Sequence, residues 1–207
     1  KTETENREQL YSNLYQLQDS IKFKELSGKV QLTLLPDLPA SAILSRIESN
    51  GQPGLAARFA LVALNPYMLE GDGIDYGAFN LNGALEHFNP TTGTGALTSK
   101  YLVDRMTMLI RKNWFNIEDK NPLDATVAFS RSNHPYQNIN DYYEDVATGY
   151  KISQGELSGK TPRYFFGGDD ADNPAASAVE DHFYGGGGDD LLNGREGDDY
   201  LEGGAGN

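Results

Sequence analysis

The feature that most constrains this chain is a nine-residue repeat near its C-terminal end. The segment GGGGDDLLN (185–193) is followed by GREGDDYLE (194–202) and then by GGAGN (203–207). These segments follow the pattern G-G-x-G-x-D-x-U-x, in which U is a large apolar residue. A flexible linker rich in glycine and aspartate would lack an apolar residue at a fixed position. The periodicity therefore predicts a stack of identical turns and short strands, which is a parallel β-roll.

The same spacing continues upstream without a gap to Gly167. The sixth position of four successive frames is an aspartate, namely Asp172, Asp181, Asp190 and Asp199. The first two frames are less regular, because Pro174 stands at an apolar position and residues 176–180 contain no glycine. The register thus predicts a repeat that begins near Gly167 with an irregular first coil.

The residue types of the repeat suit calcium. Glycine lets the backbone turn tightly with its carbonyl groups facing inward. The aspartate adds a carboxylate oxygen, and calcium takes six to eight oxygen ligands at about 2.3–2.6 Å. With two repeats per coil, turns on the same edge are eighteen residues apart. We therefore predict one ion between Asp172 and Asp190 and another between Asp181 and Asp199, the latter weaker because its first turn lacks glycine. The predicted carbonyl ligands are Gly168, Gly186, Gly188 and Gly197.

The repeats resemble those of the RTX (repeats-in-toxin) family of secreted bacterial proteins, also described as hemolysin-type repeats. The resemblance implies type I secretion and calcium-dependent folding outside the cell, within a toxin, an adhesin or an exoenzyme. It also implies that further RTX repeats follow in the same chain and contact these. Residues 7–30 and 55–76 resemble a segment that precedes the repeats in some very large RTX proteins, some of which carry a lipase-like domain further upstream.

Charge and composition exclude several other classes of function. The net charge is −13, and eleven acidic residues with only one basic residue, Arg195, lie between Gly167 and Asn207. Such a chain is a poor partner for nucleic acid or an anionic membrane, and its acidic block needs cations to fold. The absence of cysteine excludes disulfides and thiolate metal sites. No apolar run approaches the roughly 18 residues that a membrane span needs.

The sequence carries no recognisable catalytic constellation, so we expect no enzyme activity in this stretch. Neither G-x-S-x-G nor H-E-x-x-H occurs, which argues against a lipase or a zincin active site. The histidines are scattered at His87, His134 and His182. We expect His182 to face outward from a repeat strand.

The remaining pattern predicts an α+β fold in which a mixed helical domain, residues 1–166, caps the start of the roll, residues 167–207. Phe165 and Phe166 are expected to stack on Phe183 and Leu192. Two alternatives remain open for the first domain: an adhesin-type module that binds a cell surface or glycan, or the C-terminal part of an upstream lipase-like hydrolase. Apolar periodicity predicts helices over residues 5–19, 40–48, 55–64 and 99–114, a strand over 30–34 and a hairpin over 142–152.

Overall fold

The computed structural model describes residues 29–118, 141–153 and 159–206, together with residues 12, 13 and 16. Of the helix predicted over residues 5–19, only those three isolated positions are described, and each is helical. His134 lies outside the described residues.

The first half of the described chain is a small helical core with one β-ladder. Strand β1 (Val30–Leu34) pairs antiparallel with β2 (Tyr67–Gly71). Between them lie helices α1 (Ala40–Glu48) and α2 (Gly51–Val62), and α3 (Ser99–Glu118) follows a long loop region. The predicted bounds of β1 and α1 agree with the structure, whereas α2 begins four residues earlier than its apolar run.

Helix α2 lies at the centre of this core because small residues cover much of its surface. Ala56, Ala57 and Ala60 are each at most 1% exposed, so neighbouring elements approach the helix closely. Helix α3 begins as predicted after Thr98, whose hydroxyl accepts a hydrogen bond from the backbone N–H of Tyr101 at 3.1 Å. That bond satisfies one of the donors left unpaired at a helix start.

The second half is a five-stranded mixed sheet in the order β4-β3-β5-β6-β7. Strands β3 (Tyr142–Asp145) and β4 (Tyr150–Ser153) form the predicted antiparallel hairpin. Strands β5 (Arg163–Phe166), β6 (His182–Tyr184) and β7 (Tyr200–Glu202) follow β3, and all the pairs from β3 to β7 are parallel. Helices and a mixed sheet together make the fold α+β.

The three strands β5, β6 and β7 keep a constant offset of eighteen residues. Phe165 is paired with Phe183, and Phe183 with Leu201. This is the offset that two nine-residue repeats per coil predict. Strand β5 lies before the proposed boundary at residue 166 and β6 lies after it, so one sheet crosses that position. The division into residues 1–166 and 167–207 stays a prediction.

The two faces of this sheet contact different parts of the molecule. Phe165 and Phe183 lie on the inner face in an edge-on contact of 6.2 Å, with Leu192 packed beside them. Phe166 instead faces the other side, where it stacks on Tyr184 at 5.1 Å. The stacking predicted for Phe165 is present, but that predicted for Phe166 was wrong, because adjacent residues of a strand point to opposite faces.

The outer face of the sheet is covered by helix α3. Tyr101 makes edge-on ring contacts with both Phe166 and Tyr184, at 5.5 and 5.2 Å. His182 does face outward from its strand, as predicted. Because helix α3 covers that face of the sheet, the side chain is buried and only 3% exposed. Among the described helices, none combines the length and apolarity needed to cross a bilayer.

Candidate metal centre

The turns at residues 185–190 and 194–199 have a backbone shape that favours glycine. Gly186, Gly188 and Gly197 have φ angles of 89°, 103° and 128°. An L-residue rarely adopts this region, because its Cβ would crowd the neighbouring carbonyl. Arg195 adopts it nonetheless, with φ of 66°, at the position that Gly186 occupies one repeat earlier. The glycines of the motif are therefore explained by the turn geometry.

The turns of the first coil lack this shape. Their equivalent positions are Gly168, Asp170, Ser177 and Val179, and none of these residues has a positive φ. The sequence register thus extends to Gly167, as the strand offset shows, while the left-handed turn begins only at Gly185. The irregular first coil that the sequence predicts is present.

The structure brings both predicted aspartate pairs onto adjacent turns. The backbone N–H of Asp172 donates to Asp190 Oδ1 at 2.9 Å, and the N–H of Asp181 donates to Asp199 Oδ1 at 2.9 Å. Each aspartate of the second coil therefore reaches across to its partner eighteen residues earlier. These bonds use one oxygen of each carboxylate and fix where the other oxygen lies.

The remaining oxygen of Asp190 is the atom that fits a cation best. Asp190 Oδ2 is buried and has no hydrogen-bond partner. A buried carboxylate oxygen without a donor is costly, and a hard divalent cation would relieve that cost. It lies so close to the chain that a Cβ on Gly185 would be 2.2 Å away. The residues present therefore fit a calcium ion on this edge.

The predicted carbonyl ligands lie where the turns stack. The carbonyl of Gly168 accepts the N–H of Gly187 at 2.7 Å, and that of Gly186 accepts the N–H of Ala205 at 2.7 Å. A carbonyl has two lone pairs, so each of these oxygens keeps one for a metal. Gly188 stacks on the next turn and Gly197 on the previous one. Within the described ranges no three acidic or histidine side chains are arranged so that they could hold a metal ion by themselves, so backbone oxygens would supply much of any calcium shell.

Asp181 differs from the other three aspartates. It is 0% exposed, whereas Asp190 and Asp199 are half-buried. Its Oδ1 accepts bonds from the N–H of Arg163 at 2.8 Å and the hydroxyl of Ser177 at 2.8 Å. Its Oδ2 accepts the N–H of Ser177 at 2.7 Å. This carboxylate is satisfied by the protein itself.

A second cluster joins the repeat strands to helix α3. Asp104 Oδ2 accepts a bond from His182 Nδ1 at 2.6 Å and from the hydroxyl of Tyr184 at 2.5 Å. His182 Nε2 lies 2.9 Å from a carboxylate oxygen of Glu180. Burial opposes a charge on this imidazole, but the bonds to Asp104 and Glu180 outweigh it, so the pKa of His182 is raised above its usual value. Burial and the same carboxylate also raise the pKa of Tyr184.

Sequence reasoning missed Asp104 as a functional residue. An acidic residue within an amphipathic helix is normally assigned to the solvent-exposed face. Only the tertiary structure shows that Asp104 faces the repeat strands. A weak signal existed, since Asp104 lies between the apolar residues Leu102 and Met106 of α3, both of which are buried.

Comparison with known proteins supports the repeat. Residues 177–207 match the family model described as RTX calcium-binding nonapeptide repeat (4 copies). This segment therefore consists of RTX repeats, and calcium is the metal that it binds. No curated protein and no solved structure matches the chain significantly. The likeness of the upstream residues to a segment of very large RTX proteins stays a prediction.

Proposed function

We propose that this chain is a calcium-responsive folding unit of a larger secreted bacterial protein. In it the RTX repeats complete a parallel β-roll on calcium binding, and the helical part covers the start of that roll. The observation that carries the proposal is the buried oxygen of Asp190, which has no hydrogen-bond partner on an edge lined by turn carbonyls. The proposed role is folding and metal binding, with no catalysis.

The cap proposed here has two contacts with the roll. Strand β3 pairs with β5, so the first of the three strands spaced by eighteen residues is not left with an unpaired edge. Helix α3 lies across the outer face and binds it through Asp104. Repeat arrays need an end that hides apolar side chains and unpaired strand groups, and these two contacts support such a role.

The acidic charge supports a location where calcium is abundant. The repeat carries most of the negative charge of the chain, and without counterions its carboxylates repel one another. A repeat that completes its folding only with calcium stays partly extended where the ion is scarce and becomes ordered where it is plentiful. This behaviour suits export followed by extracellular folding, in a toxin, adhesin or exoenzyme with further repeats downstream.

Calorimetric titration of the metal-free chain with calcium tests the proposal, alongside far-UV circular dichroism. We expect calcium binding with a gain of β signal and a higher melting temperature. Magnesium should reproduce neither, because it demands a smaller octahedral shell.

The variant Asp190→Asn should weaken calcium affinity by about tenfold or more, since one charged ligand becomes neutral. Asp198→Asn is the matched control, because it removes the same charge from an exposed neighbour in the next repeat. A chain whose spectrum and melting temperature ignore calcium would rule the proposal out.

A further inference from the structure

One of the four repeat aspartates, Asp181, has different surroundings from the other three. Asp172, Asp190 and Asp199 are half-buried, and Asp190 holds an oxygen that no donor reaches. Asp181 stands at the same position of its own repeat but is fully buried, with three protein hydrogen bonds. The sequence pattern gives these four residues one role, whereas the structure separates one of them.

The three bonds of Asp181 tie two distant parts of the chain together. Ser177, four residues earlier, donates both its N–H and its hydroxyl, which closes the turn over residues 177–181. The N–H of Arg163, the first residue of β5, donates to the same carboxylate from eighteen residues away. One side chain thus holds the turn over residues 177–181 closed and joins it to β5, the strand where the helical part ends.

This arrangement leaves Asp181 little capacity for a metal. A carboxylate offers about four lone-pair sites, and two of those on Oδ1 and one on Oδ2 are filled. With 0% exposure, an ion and its other oxygen ligands reach the last site only if the turn opens and those bonds break. Asp172 accepts a similar bond from Gly168, but glycine has no hydroxyl and Asp172 is half-buried.

We propose that Asp181 is a structural residue that closes the second turn of the repeat, over residues 177–181, without calcium. The ions then bind to the other aspartates, beginning with the Asp172–Asp190 edge. Ser177 replaces the cation by supplying two donors to the carboxylate. The first coil is then formed before calcium arrives and offers β6 as a template for the calcium-dependent coil that follows. This inference rests on the proposed calcium-binding function. It removes Asp181 from the predicted calcium ligands and leaves Asp199 as the aspartate of that pair that binds an ion.

The test compares Asp181→Asn, Asp190→Asn and the control Asp198→Asn in the full 207-residue chain. Melting is followed in EDTA, and calcium affinity is measured separately by calorimetry. Asp181→Asn should lower the melting temperature in EDTA by about 5 °C or more, because an amide nitrogen replaces one acceptor among buried donors. Its calcium affinity and number of bound ions should stay within about twofold of the unsubstituted chain, whereas Asp190→Asn loses about tenfold or more.

Ser177→Ala provides a milder variant in case Asp181→Asn does not fold. It removes the hydroxyl, which donates to Asp181 and accepts the N–H of Val179, and keeps the backbone donor of Ser177. It should lower the EDTA melting temperature by about 2–4 °C with calcium binding unchanged. The proposal is overturned if Asp181→Asn loses an ion or about tenfold in affinity, or if neither variant changes the EDTA melt. If the unsubstituted chain binds no calcium, the proposed function fails, and the EDTA melts still decide whether Asp181 closes the turn.

Discussion

The first coil of the repeat, residues 167–184, and the second, residues 185–202, share one register but are held together by different means. In the first coil, Phe183 is 0% exposed and the turns are closed by side-chain bonds to Asp172 and Asp181. In the second, the equivalent apolar residue, Leu201, is 44% exposed, and its turns rely on left-handed backbone. The coil beside the helical part is stabilised by packing, while the next one is packed less, and calcium is proposed to stabilise it.

The largest difference between the coils should appear at their apolar positions. Phe183→Ala should lower the free energy of unfolding by about 3–5 kcal/mol, since it leaves a cavity in a filled site. Leu201→Ala, eighteen residues later, should cost under about 1 kcal/mol because its side chain is partly exposed. Urea unfolding of both variants with calcium present, so that both coils are formed, measures the contrast. Equal losses would show that the two coils are packed alike.

The attachment to helix α3 should be the next strongest contrast. Asp104→Ala leaves the buried groups of His182 and Tyr184 without their acceptor, at a cost of about 2–4 kcal/mol. The second coil is held through Thr98, whose hydroxyl donates to Glu202 and also caps α3. Thr98→Ala should cost about 1 kcal/mol, as loss of a cap usually does. Thermal unfolding ranks the two, and a costlier Thr98→Ala would reverse the comparison.

Glycines at equivalent positions should also respond unequally. Gly186 has a left-handed φ, and a Cβ there would lie 2.5 Å from the carbonyl oxygen of Gly168. Gly186→Ala should therefore lower stability with calcium bound by about 2 kcal/mol or more. At Gly168 φ is not positive, and an added Cβ meets Val146 Cγ1 at 3.3 Å. We expect Gly168→Ala to cost less than about 1 kcal/mol, and calorimetric melting separates the two.

The smallest effect should come from regularising the second coil. Arg195 occupies a left-handed position where Gly186 stands one repeat before. Arg195→Gly relieves that strain but gives the unfolded chain more freedom, so we expect a net gain of about 0.5 kcal/mol. A small rise in the melting temperature of Arg195→Gly, measured with calcium present, would show this gain in stability. A fall would mean that the arginine side chain contributes more than its backbone costs.

Local patterns were enough to predict much of this fold. Apolar periodicity located α1 and β1, and the hydroxyl of Thr98 marked the start of α3. The nine-residue spacing predicted the eighteen-residue strand offset and the pairing of Asp172 with Asp190. These predictions succeed because helix period, strand alternation and repeat length are properties of neighbouring residues, and they need no knowledge of what lies across the core.

The sequence by itself determined that residues near the C-terminus repeat every nine positions, that the repeat takes calcium, and which aspartates stand in register. Only the tertiary structure decided what surrounds each of them. Asp104 is a partner of His182 because α3 packs on the outer face of the sheet. Asp181 is buried, and its carboxylate accepts hydrogen bonds from Ser177 and Arg163. A motif fixes which atoms are available, but burial and the competition among donors depend on residues far away in the chain.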